Sequence, residues 1–256
     1  MANTLAARRA SFRALHTEGC FVMPNPWDVG SAKRLEMLGF KALASSSSAA
    51  AKALGLTDYQ IALDQCLDHL TMLCGATDLP VNADFENGFA DAPADVAANV
   101  TRAIACGVAG LSIEDQHGGA LYPIELAVER IAAARTAIDA SGEDVMLVAR
   151  TEGMLWKLSD CDAAIERLVA YADAGADVLF APGVTDPDEI AAMVRAVAPK
   201  PVNVLIMNDQ MTVAGLASLG VRRVSVGGAL ANVAWNAFDA AAQALAAQSL
   251  GSITLT

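Results

Sequence analysis

The chain lacks the marks of several large functional classes. Its five cysteines, Cys20, Cys66, Cys74, Cys106 and Cys161, are widely spaced and form no C-x-x-C pair. That argues against a disulfide framework and fits free thiols in a reducing cytosol, so a cytoplasmic protein is expected. Positive charge is scarce, with Lys+Arg 17 against Asp+Glu 29 and a net charge of -12. A nucleic-acid partner needs a basic footprint, and none is visible. No charge-free apolar run reaches roughly 18 residues, so no membrane span is expected. The stretch from Met1 to Arg9 has no long apolar core behind its charges and does not read as a secretory signal. Nor is there a G-x-G-x-x-G after the first strand-like run, a Pro-, Gly- or Ser-rich linker, or a low-complexity segment.

What is present is a large apolar fraction, 54% of 256 residues, with 18% charged. This supports a sizeable core and argues against disorder. Eight strand-like runs recur: Cys20–Met23, Ala42–Ser45, Pro80–Ala83, Gly110–Ile113, Val145–Val148, Val178–Phe180, Val202–Ile206 and Val224–Val226. Between them lie helical windows such as Asp95–Cys106, Ile124–Ala140 and Asp162–Ala174. Gly39, Gly107, Gly175 and Gly220 stand where helices should end, and Thr57-Asp58, Asp91-Ala-Pro93, Ser159-Asp160 and Asp186-Pro187 where they should begin. Strands alternating with helices imply parallel pairing and right-handed crossovers. Eight such units predict an α/β fold, a single (β/α)8 TIM-type barrel spanning residues 1–256. A long Ala-rich helix, Ala229 to Ser249, is expected to pack on its own barrel or to dock on another subunit.

In such barrels the chemistry gathers at the carboxyl ends of the strands. The run ending Val81-Asn-Ala-Asp-Phe-Glu-Asn-Gly88 turns abruptly from apolar residues to two carboxylates. On a strand, the period of two would put Asp84 and Glu86 on one side. Like charges this close call for a proton or a cation between them, and hard oxygens favour Mg²⁺ or Mn²⁺. Read the same way, the mouth also collects Trp27 and Asp28, Ser45 to Ser48, Glu114 to His117, and Arg150 to Glu152. Acids cluster after strands three and four with an arginine after strand five, a pattern suited to a divalent cation beside an anionic substrate. Arg150 is open to a plainer reading, pairing with Glu114 or Glu152 to balance charge.

Five stretches then carry a specific likeness: Phe40-Lys-Ala-Leu-Ala-Ser-Ser-Ser-Ser48, Leu54-Gly-Leu-Thr-Asp58, Asp84-Phe-Glu-Asn-Gly88, Ile113-Glu-Asp-Gln116 and Val148-Ala-Arg-Thr151. In order and spacing, from about Pro24 to Asn232, the chain resembles the isocitrate lyase/phosphoenolpyruvate mutase superfamily. The resemblance implies a barrel that binds Mg²⁺ and a small 2-oxo or 2-hydroxy carboxylate, and a last helix exchanged within a homodimer, commonly inside a homotetramer. It implies that Asp84 touches the metal directly, while Glu86 and Glu114 reach it through water. Ser46 and the amides of Ser47 and Ser48 resemble the loop that holds a substrate carboxylate. Trp27 and Asp58 fall near that pocket, Arg150 matches a substrate clamp, and Asn203 aligns loosely with a later polar contact.

The departures bear on the reaction. The cysteine loop of the lyases is replaced by Gln116-His-Gly-Gly-Ala-Leu-Tyr-Pro123, and the asparagine-bearing gating loop of the mutases is missing too. Ala181-Pro-Gly183 stands where a glutamate or histidine is expected. His117 is the histidine nearest the expected mouth and is a candidate general acid or base, or else a loop residue without a role. His16 and His69 lie in helical windows and read as structural. The sequence therefore predicts a Mg²⁺-dependent enzyme that cleaves a carbon–carbon bond in an oxaloacetate-like 2-oxo acid, by decarboxylation or hydrolysis. The alternatives are carbon–phosphorus chemistry and a binding protein without catalysis. A Schiff-base aldolase is disfavoured, because Lys33, Lys41, Lys52, Lys157 and Lys200 all fall away from the strand ends.

Overall fold

The structure, a computed structural model, describes residues 4–247. Eight parallel strands form the sheet: β1 (Phe21–Met23), β2 (Leu43–Ala44), β3 (Val81–Asp84), β4 (Gly110–Glu114), β7 (Met146–Arg150), β8 (Val178–Phe180), β9 (Val202–Leu205) and β10 (Arg223–Ser225). A small antiparallel hairpin, β5 (Gln116–His117) with β6 (Ala120–Leu121), follows β4. The sheet runs in the order β1-β10-β9-β8-β7-β4-β3-β2. Its two ends meet where the Ala44 N–H donates to the Pro24 carbonyl at 3.0 Å, so the sheet is a nearly closed barrel ringed by helices. Consecutive parallel strands need a crossover, and helices such as α5 (Pro93–Ala105), α6 (Ile124–Ser141) and α7 (Cys161–Asp173) provide it.

Each predicted run forms a strand, with Val178–Phe180 unchanged and no end moved by more than two residues. The shifts matter because they make Asp84, Glu114 and Arg150 the last residues of β3, β4 and β7 rather than loop residues beyond them. The four helix-ending glycines all have positive φ, from 84° at Gly39 to 103° at Gly175. Of the start signals, Asp160 and Asp186 cap as expected, each side chain accepting from a first-turn N–H, a contribution of about 1 kcal/mol apiece.

Two start signals do not cap. Thr57-Asp58 opens a turn, and the following helix, α4 (Leu63–Ala76), begins after Ala62. Asp91 leaves the cap position to Ala92, while the pyrrolidine of Pro93 starts α5. Both aspartates face cavities instead.

The barrel bottom is closed by α1 (Leu5–Ala14), whose Phe12 is fully buried and packs edge-on against His16 and Phe21. Gly110 makes this possible: a Cβ there would lie 2.8 Å from the Phe12 ring and 2.7 Å from the Asn82 amide oxygen. Near the other end, Gly183 has φ +97° and a Cβ on it would sit 2.5 Å from the Leu155 nitrogen. The segment that replaces the expected acid after β8 is thus pressed against the loop bearing Glu152.

The last helix, α10 (Ala229–Ala246), buries only Ala231. The expected end at Ser249 lies outside the described residues. No described helix is long and apolar enough to cross a membrane, and the five cysteines are free.

Candidate active site

A cavity of about 180 Å³ opens among the carboxyl ends of the barrel strands. Its centre is Arg150, whose Nη1 lies 3.0 Å from Glu114 Oε1 and 3.3 Å from Asp84 Oδ1, while its Nε pairs with Glu152. The guanidinium carbon stands 5.2 Å from the centre of the Phe180 ring. Glu114 and Glu152 are 2% and 0% exposed, so these charges are held without water. Arg150 thus pairs with both acids that the plainer reading named, Glu114 and Glu152, and with Asp84 as well.

Every acid has a positioning partner. Asp84 Oδ2 accepts from the Ser47 backbone N–H at 2.9 Å and from its hydroxyl at 3.0 Å, and the Asp84 N–H donates to Ser45 Oγ. Glu114 Oε2 accepts from the Tyr59 hydroxyl at 2.9 Å, and Glu152 Oε2 from the Trp156 indole at 3.1 Å. Buried Asp115 points away from the cavity, where it accepts from the Tyr171 hydroxyl and Arg167 while holding the Glu152 N–H at 2.9 Å. Buried Arg130 donates to the carbonyls of Glu114, Asn87 and Ala90 and so ties the end of β4 to the loop after β3.

The electrostatics follow from crowding. Burial pushes the Glu114 carboxyl well above the usual range, opposed by Arg150 and reinforced by Glu152 and Asp84. Burial and the Asp84 charge raise Asp58 as well. Glu86 is pushed up to about 8 by burial, then by Asp84 and Asp58. Its Oε1 is buried with no hydrogen-bond partner. Five carboxylates, Asp58, Asp84, Glu86, Glu114 and Glu152, thus share one arginine. Among the described residues no three His, Cys, Asp or Glu side chains are close enough to hold one ion directly. A cation here would take Asp84 as its protein ligand, with the more distant acids reached through water. The orphaned Glu86 oxygen and the excess of hard carboxylates fit a hydrated Mg²⁺ or Mn²⁺.

This crowding gives a pH dependence. The folded protein holds the Glu86 proton more tightly than the unfolded chain, with a pKa of about 8 against 4.5. That stabilisation is complete below pH 4.5 and is lost as pH rises through about 8. In metal-free buffer, melting temperature should fall with rising pH across this window, and Glu86→Gln should remove part of the slope. An equal slope in the variant would exclude Glu86 as a source.

Several expected site residues stand elsewhere. Glu86 is not on the strand: β3 ends at Asp84, and Glu86 sits in a turn with φ +45°, lining a neighbouring cavity of about 770 Å³. His117 lines that second cavity as well, its Nδ1 2.5 Å from Asp91 Oδ1, with the Tyr122 hydroxyl donating to the same oxygen. Trp27 stays off the wall of the first cavity. The Ser47 amide, expected to bind a substrate carboxylate, is engaged by Asp84, and the Ser46 hydroxyl caps α3 (Ser47–Ala53). Ser46, Ser47, Ser48, Asp58 and Asn203 do line the first cavity. Sequence reasoning missed Tyr59 and Arg223, although it did place Glu152 at the mouth beside Arg150. The polar alternation of Arg223 and Ser225 about Val224 was a usable signal for Arg223.

Fold and site together define a (β/α)8 barrel with an acidic, arginine-centred mouth. Residues 12–246 match the family profile described as phosphoenolpyruvate phosphomutase. The chain belongs to that family, within the isocitrate lyase/phosphoenolpyruvate mutase superfamily. A structure from Burkholderia cenocepacia J2315, assigned provisionally as a lyase/mutase, superposes with a TM-score of 0.91 at 49% identity, covering 94% of this chain and 89% of that one. The oxaloacetate decarboxylase of Chromohalobacter salexigens is 32% identical over 84% of this chain and 77% of its own. Oxaloacetate acetylhydrolase in complex with oxalate superposes with a TM-score of 0.90 at 27% identity, covering 99% and 91%. The superfamily relatives are lyases, a hydrolase and mutases that work on carbon–carbon or carbon–phosphorus bonds.

Proposed function

We propose that the protein is a Mg²⁺- or Mn²⁺-dependent enzyme that cleaves a carbon–carbon bond in a small 2-oxo dicarboxylate of the oxaloacetate type. The observation that carries this reading is the meeting of Asp58, Asp84 and Glu114 with Arg150 on the wall of a cavity sized for a small acid, with Glu152 paired to the same arginine and Glu86, one oxygen unpartnered, in the adjoining turn. The names of the relatives, oxaloacetate decarboxylase and acetylhydrolase, support the substrate class.

Asp84 would hold the cation, with Glu86 and Glu114 acting through water. A bound cation would supply Lewis acidity, polarising the 2-oxo group so that negative charge left by bond cleavage is stabilised. Arg150 presents a fixed planar cation to that charge, and Glu114 and Glu152 prevent it from turning. Glu114, whose carboxyl burial holds well above the usual range, accepts a hydrogen bond from the Tyr59 hydroxyl, and that pair would return a proton to the product carbon. Phe180 and Leu155 line the cavity and limit water at the reacting centre. His117 takes no part, since it faces the neighbouring cavity.

Proton NMR of oxaloacetate with the protein and Mg²⁺ tests the reading. Pyruvate formed above the metal-only background identifies a decarboxylase, and acetate identifies a hydrolase. No change above background would reject cleavage of this substrate. A second reading, carbon–phosphorus chemistry, draws on Gly227 and Gly228, which line the cavity and open α10, where helix N–H groups favour phosphate. Phosphorus NMR of phosphonopyruvate distinguishes the two.

The helix α10 would pack on a second copy of the chain within a homodimer or homotetramer. It leaves Val233, Phe238 and Leu245 exposed at 67%, 61% and 52%, an apolar face larger than an isolated helix keeps in water. Light scattering should show an oligomer for the protein and a smaller species for Val233→Asp/Phe238→Asp. An unchanged mass would remove α10 from the interface.

A further inference from the structure

Two arginines line the first cavity, and their surroundings are opposite. Arg150 at the mouth is held by three carboxylates. Arg223 is 1% exposed and has no acidic partner among the described residues. It opens β10, two residues before that strand's carboxyl end, and by the period of two it shares the inward face with Ser225. Its Nε donates to Asn203 Oδ1 at 3.0 Å, and its Nη1 lies 3.4 Å from His16 Nε2. His16 brings no negative charge: its Nδ1 lies 2.8 Å from the Phe12 carbonyl and so carries the ring proton, leaving Nε2 as a neutral acceptor. Both Nη2 hydrogens are left without a protein acceptor.

A buried cation without an anion is costly, and a neutral residue of similar volume would be the more stable choice for a barrel floor. Burial lowers this guanidinium to about 9, and it is still charged at neutral pH. The neighbours also point inward. Asn203 Nδ2 donates to Ser225 Oγ at 3.1 Å, which frees the Ser225 hydroxyl hydrogen to donate elsewhere, and Ser225 lines the cavity. The cavity is therefore polar along its length, with Asp58, Asp84 and Glu114 toward the mouth and an uncompensated cation with a free hydroxyl donor deeper in.

We propose that Arg223 and Ser225, steadied by Asn203, form an anion subsite at the floor of the barrel that takes the second carboxylate of a dicarboxylate substrate. The inference rests on the 2-oxo acid reading of the mouth and adds to it the element that selects dicarboxylates over monocarboxylates. The planar guanidinium offers its unused Nη2 edge and Ser225 its hydroxyl, a geometry matched to a carboxylate. Asn203 is a positioning residue, fixing both donors at once.

The test is a calorimetric titration of the protein in Mg²⁺ with two acids of one carbon skeleton, malate and 2-hydroxybutanoate, which differ by a carboxylate in place of a methyl group. Oxalate serves as a third probe, because it needs only the mouth. The wild type should bind malate at least about tenfold more tightly than 2-hydroxybutanoate, and Arg223→Gln should bring the two within about twofold while leaving oxalate binding unchanged. The melting temperature of ligand-free Arg223→Gln should equal or exceed that of the wild type, which a purely structural arginine would not give. If Arg223→Gln does not fold, Arg223→Lys carries the test, keeping the charge without the fork and showing a reduced preference. A malate preference that survives either substitution, or that is absent from the wild type, overturns the subsite. Failure of oxalate to bind the wild type would count against the mouth reading alone, since the malate comparison is scored independently.

Discussion

Asp84→Ala should reduce kcat/KM toward the 2-oxo acid by on the order of 10² to 10³, the scale seen when one preorganised electrostatic contact is removed from a site. Asp84 is the acid whose loss is hardest to replace. It ends β3, its Oδ2 is oriented by the backbone and hydroxyl of Ser47, and its Oδ1 faces Arg150. Glu86 lies beyond the strand in a turn and Glu114 is committed to Arg150 and Tyr59, so neither can move into its place. Because Asp84 is 16% exposed and is one of several like charges, the fold should tolerate the change, and metal-free stability should rise slightly. Steady-state kinetics with a Mg²⁺ titration reads the effect. Activity within about threefold of wild type would remove Asp84 from the chemistry.

Arg150→Met should have the largest effect on stability. Glu114 at 2% and Glu152 at 0% exposure would be left facing Asp84 with no counter-charge. Removing one partner from a buried pair costs about 3 to 5 kcal/mol, chiefly from the stranded charge. The sign with pH follows from the raised Glu114 carboxyl. Without Arg150 the acids are pushed higher still, so the loss should be smallest in acid, where they are protonated, and should grow as pH rises. Urea unfolding of variant and wild type in acidic and in alkaline buffer measures the difference. Arg150→Lys keeps the charge and should lose far less stability, yet without the planar fork its kcat/KM should still fall sharply. Equal stability of Arg150→Met and wild type at every pH would show that the acids are already neutral.

Much of the barrel was legible because each strand is a short, β-branched apolar run and each crossover an Ala-rich amphipathic window. Those two periods are set by backbone geometry alone. The acids at the mouth were legible for a related reason: Asp84, Glu114 and Arg150 terminate runs that can only be buried. Glu86 was placed on the wrong element because the period of two was carried past the end of the strand, where the chain turns with positive φ. His117 was a linear neighbour of mouth residues but lines the neighbouring cavity, because the hairpin after β4 carries it away from the strand direction, and Trp27 is not among the residues that line the first cavity. Tyr59 escaped notice because its role depends on a left-handed backbone at φ 63° that aims its hydroxyl at Glu114, and no pattern in the sequence announces it. Arg223 was hidden by its charge, which in a strand is normally read as a sign of exposure.

Anomalous diffraction from crystals grown with Mn²⁺ and oxalate tests the central claim most directly. The account places the metal peak at ligand distance, about 2 Å, from the Asp84 carboxylate, with oxalate chelating it in the cavity that Arg150 lines. A cavity without a peak, or a peak confined to the His117 and Asp91 pair in the neighbouring cavity, would contradict a metal-dependent site at the barrel mouth.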